Sequence, residues 1–259
     1  MKKELVTVVI PIRLEELPEL EKVSLEQTLR VLNKYTITFM TQKGLNTAWY
    51  QEFCRGKATV KFEEFKWNGF NEFGAMMTNA KFYGRFRAYE YMLICHTDAF
   101  VFRDELEKWC NTGYDYIASL IYNSFWEGER LPVRPILGFT RPDYYGNGGF
   151  ALKRVETFYR ICSRFRLYLD FFHWSRRIRN RGFLDDIFVA QLFPNLSSKF
   201  SVAPKSMAQE FGAAYEFWEE KDLPFTNKDH NTLPFGIHGF IKYHPEYWIP
   251  VIRECGYAV

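Results

Sequence analysis

The chain has 259 residues, of which 47% are hydrophobic and 25% are charged, and this ordinary balance excludes disorder, collagen-like repeats and a long coiled coil. A chain of this length buries roughly three-quarters of its unfolded surface, which suits one large α/β domain, or a main domain with a subdomain, that needs no disulfide for stability. Its 34 Lys and Arg against 31 Asp and Glu give a net charge of +3, which argues against nucleic acid as the main partner.

Strand and helix patterns alternate over the first 120 residues. Apolar, β-branched runs predict strands at residues 5–12, 35–41, 58–65, 89–95 and 114–120. Helical spacing predicts one helix that begins at the capping box of residues 24–27, and further helices at residues 47–54, 73–86 and 104–110. The alternation predicts a parallel sheet with covering helices, an architecture that commonly binds nucleotides.

The second half of the chain follows a different pattern. Prolines interrupt residues 121–145, which we interpret as a long functional or connecting loop. Residues 153–181 are predicted to be helical for much of their length, and residues 186–193 are predicted to form a short helix that Pro194 ends. No internal repeat or low-complexity tract is visible.

The N-terminus and the cysteines indicate the environment of the protein. Residues 5–12 are too short an apolar run for a signal peptide and lack a small-residue cleavage site, so we interpret them as a strand. No run of about 18 apolar residues predicts a transmembrane helix. The five cysteines are widely spaced and contain no C-x-x-C pair, which indicates reduced thiols in a cytoplasmic protein.

A polar triplet, His96 to Asp98, directly follows the strand predicted at residues 89–95. Ligands of open α/β sheets bind beyond the carboxyl ends of the strands, so Asp98 is well placed to contact one. Its carboxylate could bind Mg²⁺ or Mn²⁺, hard cations that neutralise a diphosphate as it leaves. A turn or helix-capping aspartate is the structural alternative.

The sequence GNGGFA at residues 146–151 fits the degenerate G-x-G-x-x-A form of the dinucleotide fingerprint, with Asp170 at about the expected distance. This match would indicate a nicotinamide-dependent oxidoreductase, although it lies in the middle of the chain. Glycines also let the backbone approach any ligand closely, and Asn147 could hydrogen-bond a sugar hydroxyl. A bulge or a tight turn is the structural alternative.

Asp185 and Asp186 precede an apolar helical pattern. Helix capping explains one of the two carboxylates, and we assign that role to Asp185. Burial of the helix leaves its N-terminal end facing a cleft, where Asp186 could act as a general base on an acceptor hydroxyl. A purely structural role for the pair is the alternative.

His238 lies in the glycine-flanked sequence PFGIHG, where backbone freedom lets a side chain reach a metal or a phosphate. A solvated loop histidine is the structural alternative. We predict that Asp98 and His238 share one metal and diphosphate site. The chain has no H-E-x-x-H, G-x-S-x-G or P-loop motif, which argues against hydrolases and ATPases.

Residues 153–181 are strongly basic and aromatic. They contain nine Lys or Arg against two acidic residues, Glu156 and Asp170, which gives a local net charge of +7. Seven aromatic side chains lie between these charges, a composition suited to a membrane surface or an anionic lipid headgroup. A helix that packs on the core and exposes a basic face is the alternative.

Five short motifs follow one another along the chain: HTDA at residues 96–99, YDYI at 114–117, GNGGF at 146–150, DDIF at 185–188 and PFGIH at 234–238. In this order they resemble a bacterial family of glycosyltransferase-like domains, over roughly residues 5–243. That family is similar to GT-A glycosyltransferases. The resemblance implies an α/β, Rossmann-like GT-A fold with a mostly parallel central sheet flanked by helices and a helical C-terminal portion.

The resemblance also implies a nucleotide-sugar donor, expected to be a UDP-sugar, and Mn²⁺ or Mg²⁺ at an Asp-x-Asp-type site. Asp98 and His238 would bind the metal, and Asp185 or Asp186 would be the base. The donor would contact His96, Thr97, Asp98, Asn147, Gly148 and Gly149. The sequence departs from the family pattern where His96 replaces a first aspartate, where Asp185 replaces a glutamate, and where residues 118–120 replace Gly-Ala-Pro-Trp.

These expectations define one domain over residues 1–259, with a nucleotide-sugar-binding half at 1–120 and an acceptor and metal half at 146–259. The enzyme would be cytoplasmic and peripheral on the inner membrane face through residues 153–181. It would transfer a sugar, with inversion, to a glycan or lipid-linked glycan of the capsule or lipopolysaccharide type. A non-catalytic carbohydrate- or nucleotide-binding module on the same fold is the alternative, suggested by the missing first aspartate.

Overall fold

The computed structural model describes residues 3–121, 144–179, 185–214 and 233–259. Nine strands lie in these ranges: β1 (Glu4–Ile12), β2 (Thr36–Gln42), β3 (Val60–Phe65), β4 (Tyr89–Cys95), β5 (Ala99–Val101), β6 (Tyr116–Ile121), β7 (Gly146–Arg154), β8 (Gly212–Ala214) and β9 (Gly236–His238). The same ranges contain ten helices: α1 (Glu19–Val31), α2 (Ala48–Phe53), α3 (Gly69–Met76), α4 (Ala80–Gly84), α5 (Leu106–Asn111), α6 (Val155–Arg164), α7 (Arg166–Ile178), α8 (Asp185–Leu196), α9 (Lys205–Phe211) and α10 (Pro245–Glu254).

All described strands belong to one sheet in the order β3-β2-β1-β4-β7-β6-β8-β9-β5. The first four strands of this order pair in parallel, as do β6 with β8 and β8 with β9. Strand β7 is antiparallel to both of its neighbours, and β5 is antiparallel to β9. The prediction of a mostly parallel α/β sheet is confirmed, with β7 as an antiparallel insertion at its centre.

Both faces of the sheet are covered by helices, which explains the continuous apolar runs of its strands. Along β1, Val8 and Ile10 pack into one core cluster with residues of α1, α2 and α5. Val9 points to the opposite face and packs with residues of α4, α6, α7 and α8. A third cluster packs α10 onto β5 and β9. Within the described ranges, none of the helices combines the length and the hydropathy needed to cross a bilayer.

Two predicted helices in the first half have different boundaries in the structure. Helix α1 begins after Pro18, five residues before the predicted capping box, and the buried Ser24 hydroxyl donates to the Leu20 carbonyl inside the helix. The helix predicted at residues 73–86 is wrong as a single element. The Asn79 side chain accepts a hydrogen bond from the Lys81 N–H and starts α4 as a separate helix.

The second half needs three corrections. Residues 153–154 belong to β7, and the predicted helix over 153–181 is divided into α6 and α7 at Phe165. Helix α8 continues through Pro194 to Leu196, because burial of Phe193 and Leu196 on the sheet compensates for the one missing backbone donor. In the first half of the chain, the short strand β5 is too brief to give a sequence signal. The predicted loop at 121–145 falls largely on residues 122–143, outside the described ranges.

Candidate active site

A tight turn after β4 carries the polar triplet. The His96 N–H donates to the Gly149 carbonyl at 2.8 Å, and the Ala99 N–H donates to the His96 carbonyl at 3.0 Å. Between them, the Thr97 hydroxyl donates to the Glu21 carboxylate of α1. The turn thus places Thr97 against α1, and it frees the Asp98 carboxylate to face the neighbouring strand β9.

The register of β5 and β9 brings Asp98 and His238 together. Ala99 is paired with His238, and the Gly239 N–H donates to the Asp98 carbonyl at 3.0 Å. As a result, His238 Nε2 lies 3.2 Å from Asp98 Oδ1. One ligand atom from each of His96, Asp98 and His238 falls within 4.8 Å of the others, a spacing that could hold a metal ion. We call these three residues the His-Asp-His triad.

Gly149 on β7 makes this arrangement possible. A Cβ atom at residue 149 would overlap the Nε2 atom and the rest of the His238 ring. Only a residue without a side chain therefore leaves space for His238 beside Asp98. Glycine is required at residue 149 because the His238 ring approaches its Cα closely, and not because of its backbone φ angle.

The electrostatics of the triad suit metal ligands. Burial and the neighbouring His238 lower the pKa of His96 to about 4, so its imidazole is neutral near pH 7. Burial by itself would raise the pKa of Asp98, but the charge and hydrogen bond of His238 outweigh it and hold that pKa well below its usual range. His96 Nε2 is buried and has no hydrogen-bond partner among the described residues. A neutral imidazole with an unused nitrogen beside a carboxylate fits a cation.

The acidic pair, Asp185 and Asp186, lies beside Gly148, the glycine that precedes Gly149 on β7. Both residues belong to the first turn of α8, and Asp186 Oδ2 accepts a hydrogen bond from the Gly148 N–H at 3.1 Å. Asp185 is buried, and its Oδ2 lies 3.7 Å from Nζ of Lys153, whose side chain is 1% exposed. The prediction that Asp185 caps the helix from outside is therefore wrong, because Asp185 is inside the helix and faces a buried cation.

Burial shifts both members of the Lys153–Asp185 pair toward their neutral forms. It lowers the pKa of Lys153, against the attraction of the two aspartates, and it raises the pKa of Asp185, against the attraction of Lys153. Each group thus depends on the other for compensation of its buried charge. Asp186 is half-buried and is the more accessible member of the acidic pair.

Asn147 shapes the strand that separates the two clusters. Ala118 on β6 faces Ala151, whereas the next residue, Ser119, already faces Asn147, so residues 148–150 form a bulge. The Asn147 Oδ1 accepts the Gly149 N–H at 2.8 Å inside this bulge. The bulge interpretation is confirmed. The dinucleotide-fingerprint interpretation is wrong, because that motif needs a strand-to-helix turn.

The structure therefore brings the predicted site residues around Gly148 and Gly149, except for Thr97, whose side chain contacts Glu21 of α1. His96 and His238 of the triad lie against Gly149, and the acidic pair lies against Gly148. Sequence reasoning missed Lys153 and Glu21, and it treated His96 as a departure when its side chain joins the triad. The H-x-D spacing after a strand was the available signal for His96, since both side chains leave the same turn.

The Gly149→Ala variant is expected to lose Mn²⁺ affinity by about ten- to a hundredfold, because its methyl group displaces His238 from Asp98. Electron paramagnetic resonance of free Mn²⁺ during a titration measures this affinity. Gly148→Ala is the matched control, since a Cβ there would lie 3.4 Å from the Asp186 Cβ and would leave His238 in place. Equal Mn²⁺ affinity in the two variants would contradict the steric role of Gly149.

Several solved structures with a similar fold are glycosyltransferases. The galactosyltransferase LgtC, in complex with donor and acceptor sugar analogues, matches with a TM-score of 0.57 and 13% identity over 96% of this chain and 95% of that chain. The bifunctional glycosyltransferase WbbM matches with a TM-score of 0.54 and 13% identity over 91% of this chain and 46% of its own. The glycosyltransferase GlyE of Streptococcus pneumoniae TIGR4 matches with a TM-score of 0.52 and 12% identity, over 92% of this chain and 54% of the GlyE chain. The protein thus has the GT-A glycosyltransferase fold.

At the level of sequence, the chain belongs to the family described as "Protein of unknown function (DUF5672)", which matches residues 58–238. This match includes the turn after β4, the glycine bulge of β7, the acidic pair and His238. No curated protein matches the chain.

Proposed function

We propose that the protein is a glycosyltransferase that moves a sugar from a nucleotide-diphosphate donor, expected to be a UDP-sugar, to a glycan acceptor. The observation that carries this proposal is the position of the His-Asp-His triad. It lies beyond the carboxyl end of β4. Its histidines lie against Gly149 of β7, and Asp186 of the acidic pair binds the next glycine, Gly148. A cation site stabilises the leaving diphosphate and a nearby carboxylate can accept the proton of the attacking hydroxyl, so this arrangement suits transfer from a diphosphate donor.

Three side chains would hold the metal: His96, Asp98 and His238. When bound, a divalent cation neutralises the charge that develops on the diphosphate leaving group. Two imidazoles and one carboxylate favour Mn²⁺ over Mg²⁺, because Mg²⁺ binds through oxygen ligands. His96 in place of a first aspartate then changes the preferred metal and does not remove the site.

Asp186 would accept the proton of the attacking acceptor hydroxyl. Its Oδ2 is held by the Gly148 N–H, which orients the carboxylate toward the same glycines that border the triad. The neighbouring Asp185 pairs with the buried Lys153, and this ion pair holds the first turn of α8 from inside the protein. A single base on the acceptor side predicts an inverting reaction, in which the hydroxyl displaces the nucleotide diphosphate directly.

For the acceptor, we propose a capsule- or lipopolysaccharide-type surface glycan, free or lipid-linked, that the enzyme meets at the cytoplasmic face of the inner membrane. The basic and aromatic composition of residues 153–181 supports this choice. Within that segment, the described residues Arg164, Arg166, Arg177 and Arg179 are exposed. Lys153 and Arg154 instead form part of the sheet.

Calorimetry of UDP binding in Mn²⁺ tests the proposed donor site. Asp98→Ala and His238→Ala are each expected to weaken UDP by about ten- to a hundredfold, because each removes a charge-assisted ligand worth about 1.5–3 kcal/mol. Asp170→Ala is the control, since it removes an exposed carboxylate of α7. Unchanged UDP affinity in both site variants would refute the shared metal and diphosphate site.

A thermal-shift screen of nucleotide sugars, with and without Mn²⁺, then identifies the donor, because a ligand raises apparent stability by mass action. The parent enzyme is also expected to release UDP slowly to water from the preferred donor. Stabilisation by a nucleotide sugar without any UDP release or transfer would instead indicate the non-catalytic binding module.

A further inference from the structure

The outer face of α7 carries an apolar stripe. Leu167, Phe171, Trp174 and Ile178 are 81%, 58%, 56% and 61% exposed, and their spacing of four, three and four residues places them on one side of the helix. They are four of the six large hydrophobic side chains that are exposed among the described residues. A contiguous apolar patch of this kind on a helix marks an interaction surface.

The opposite face of α7 is fixed to the protein. Leu169 and Phe172 are buried, and the Phe172 ring lies 4.5 Å from the ring of Phe188 on α8. His173 Nε2 is 2.8 Å from the Thr78 hydroxyl. The helix therefore has its core contacts already, and the apolar stripe is additional to what the fold requires.

The charges beside the stripe are almost all positive. Residues 160–179 contain six arginines and one acidic residue, Asp170, which pairs with Arg166 at 3.5 Å. Arg164, Arg166, Arg177 and Arg179 are exposed near the two ends of the stripe. Guanidinium groups bind phosphates in a bidentate manner and are less strongly hydrated than ammonium groups, so they suit the phosphate layer of a bilayer.

We propose that α7 docks on an anionic phospholipid bilayer, parallel to its surface. The helix has 13 residues and is about 20 Å long, too short to span a membrane but long enough to lie in the headgroup region. The four apolar side chains enter the boundary between headgroups and acyl chains, and the arginines contact lipid phosphates. A tryptophan and a phenylalanine at the centre of the stripe are typical of such interfacial helices.

This inference deepens the membrane contact of the proposed function by naming the surface and the lipid. It rests on the proposed function only for the reason why the protein would bind a membrane. The contact itself uses no residue of the candidate active site. Binding is therefore measured on the full chain without donor or acceptor. A protein that binds lipid without transferring sugar, or the reverse, separates the two proposals.

Co-sedimentation with vesicles of phosphatidylglycerol and phosphatidylcholine tests the docking surface, with pure phosphatidylcholine as the uncharged comparison. The parent protein is expected to bind the mixed vesicles and to lose most of that binding on pure phosphatidylcholine. Phe171→Ser/Trp174→Ser is expected to lower the partition coefficient at least tenfold. Arg177→Gln/Arg179→Gln is expected to lower it by about thirtyfold, or about 1 kcal/mol for each arginine.

Phe70→Ser is the matched control, since Phe70 is 60% exposed on α3 and lies outside the stripe. It should bind vesicles as the parent does, and thermal melts should show that all variants fold. Equal binding by the parent and the Phe171→Ser/Trp174→Ser variant would overturn the proposal. So would a parent dimer in analytical ultracentrifugation that the same variant dissociates without a change in vesicle binding, since the stripe would then pair two copies of the chain.

Discussion

The Asp186→Asn variant is expected to transfer sugar about 10² to 10⁴ times more slowly than the parent enzyme, while it binds the donor with unchanged affinity. An amide oxygen can still accept the hydrogen bond of the Gly148 N–H, so the local structure of α8 and the bulge is retained. The amide cannot accept the proton of the acceptor hydroxyl. Initial rates of UDP release in the presence of acceptor, together with donor affinity by calorimetry, measure the two quantities separately.

Asp185→Asn is the matched control for this prediction. It removes a charge from the buried pair with Lys153, so it is expected to lower the melting temperature and to keep most of the transfer activity of the folded enzyme. The reverse pattern would assign the base to Asp185. Full transfer by both variants would remove the base from this acidic pair altogether.

At pH 8, the Lys153→Met variant is expected to lose about 3–5 kcal/mol of unfolding free energy, because it leaves the Asp185 carboxylate buried without its cation. Urea denaturation of the parent and the variant measures the loss. The double variant Lys153→Met/Asp185→Leu removes both charges and is expected to recover most of it. A double variant that is less stable than either single variant would contradict a compensating charge pair.

The pH dependence of Lys153→Met distinguishes a stranded charge from a packing defect. Without Lys153, the folded-state pKa of Asp185 rises further above its unfolded value, since burial already raises it. A carboxyl group with a raised folded pKa contributes stability at low pH that is lost as the pH rises through that pKa. The variant is therefore expected to approach the parent's stability toward pH 5 and to lose it toward pH 8, whereas a packing defect would give a constant difference.

The sheet could be predicted from the sequence because its strands are buried on both faces. Apolar runs such as β1 and β4 need no knowledge of their neighbours, and the position of Asp98 after β4 follows from the chain alone. Helix α1 begins after Pro18 without a side-chain cap, and the break between α3 and α4 depends on one hydrogen bond to the Asn79 side chain, so neither boundary has a strong signal in the sequence.

The finer chemistry of the site depends on contacts between distant segments. Lys153 can be buried because Asp185 of α8 supplies a carboxylate as its partner. The residues next to Lys153 in the sequence give no indication of this pairing. Likewise, the need for a glycine at residue 149 arises from His238, which packs against it from another strand. Local patterns could find the individual residues, but only the tertiary structure shows which of them touch.

Strand β9 supplies His238 and is the last of the described strands along the chain, whereas the turn that carries His96 and Asp98 follows β4. The pairing of β9 with β5 joins residues that are far apart in the sequence, such as Ala99 and His238, and the entropy of that closure must be met before its contacts form. The parallel strands β1 to β4 emerge earlier in synthesis and can pair with one another before that. The sheet of β1 to β4 can thus form while Asp98 still lacks its histidine partner, so the His-Asp-His triad is expected to assemble late in folding.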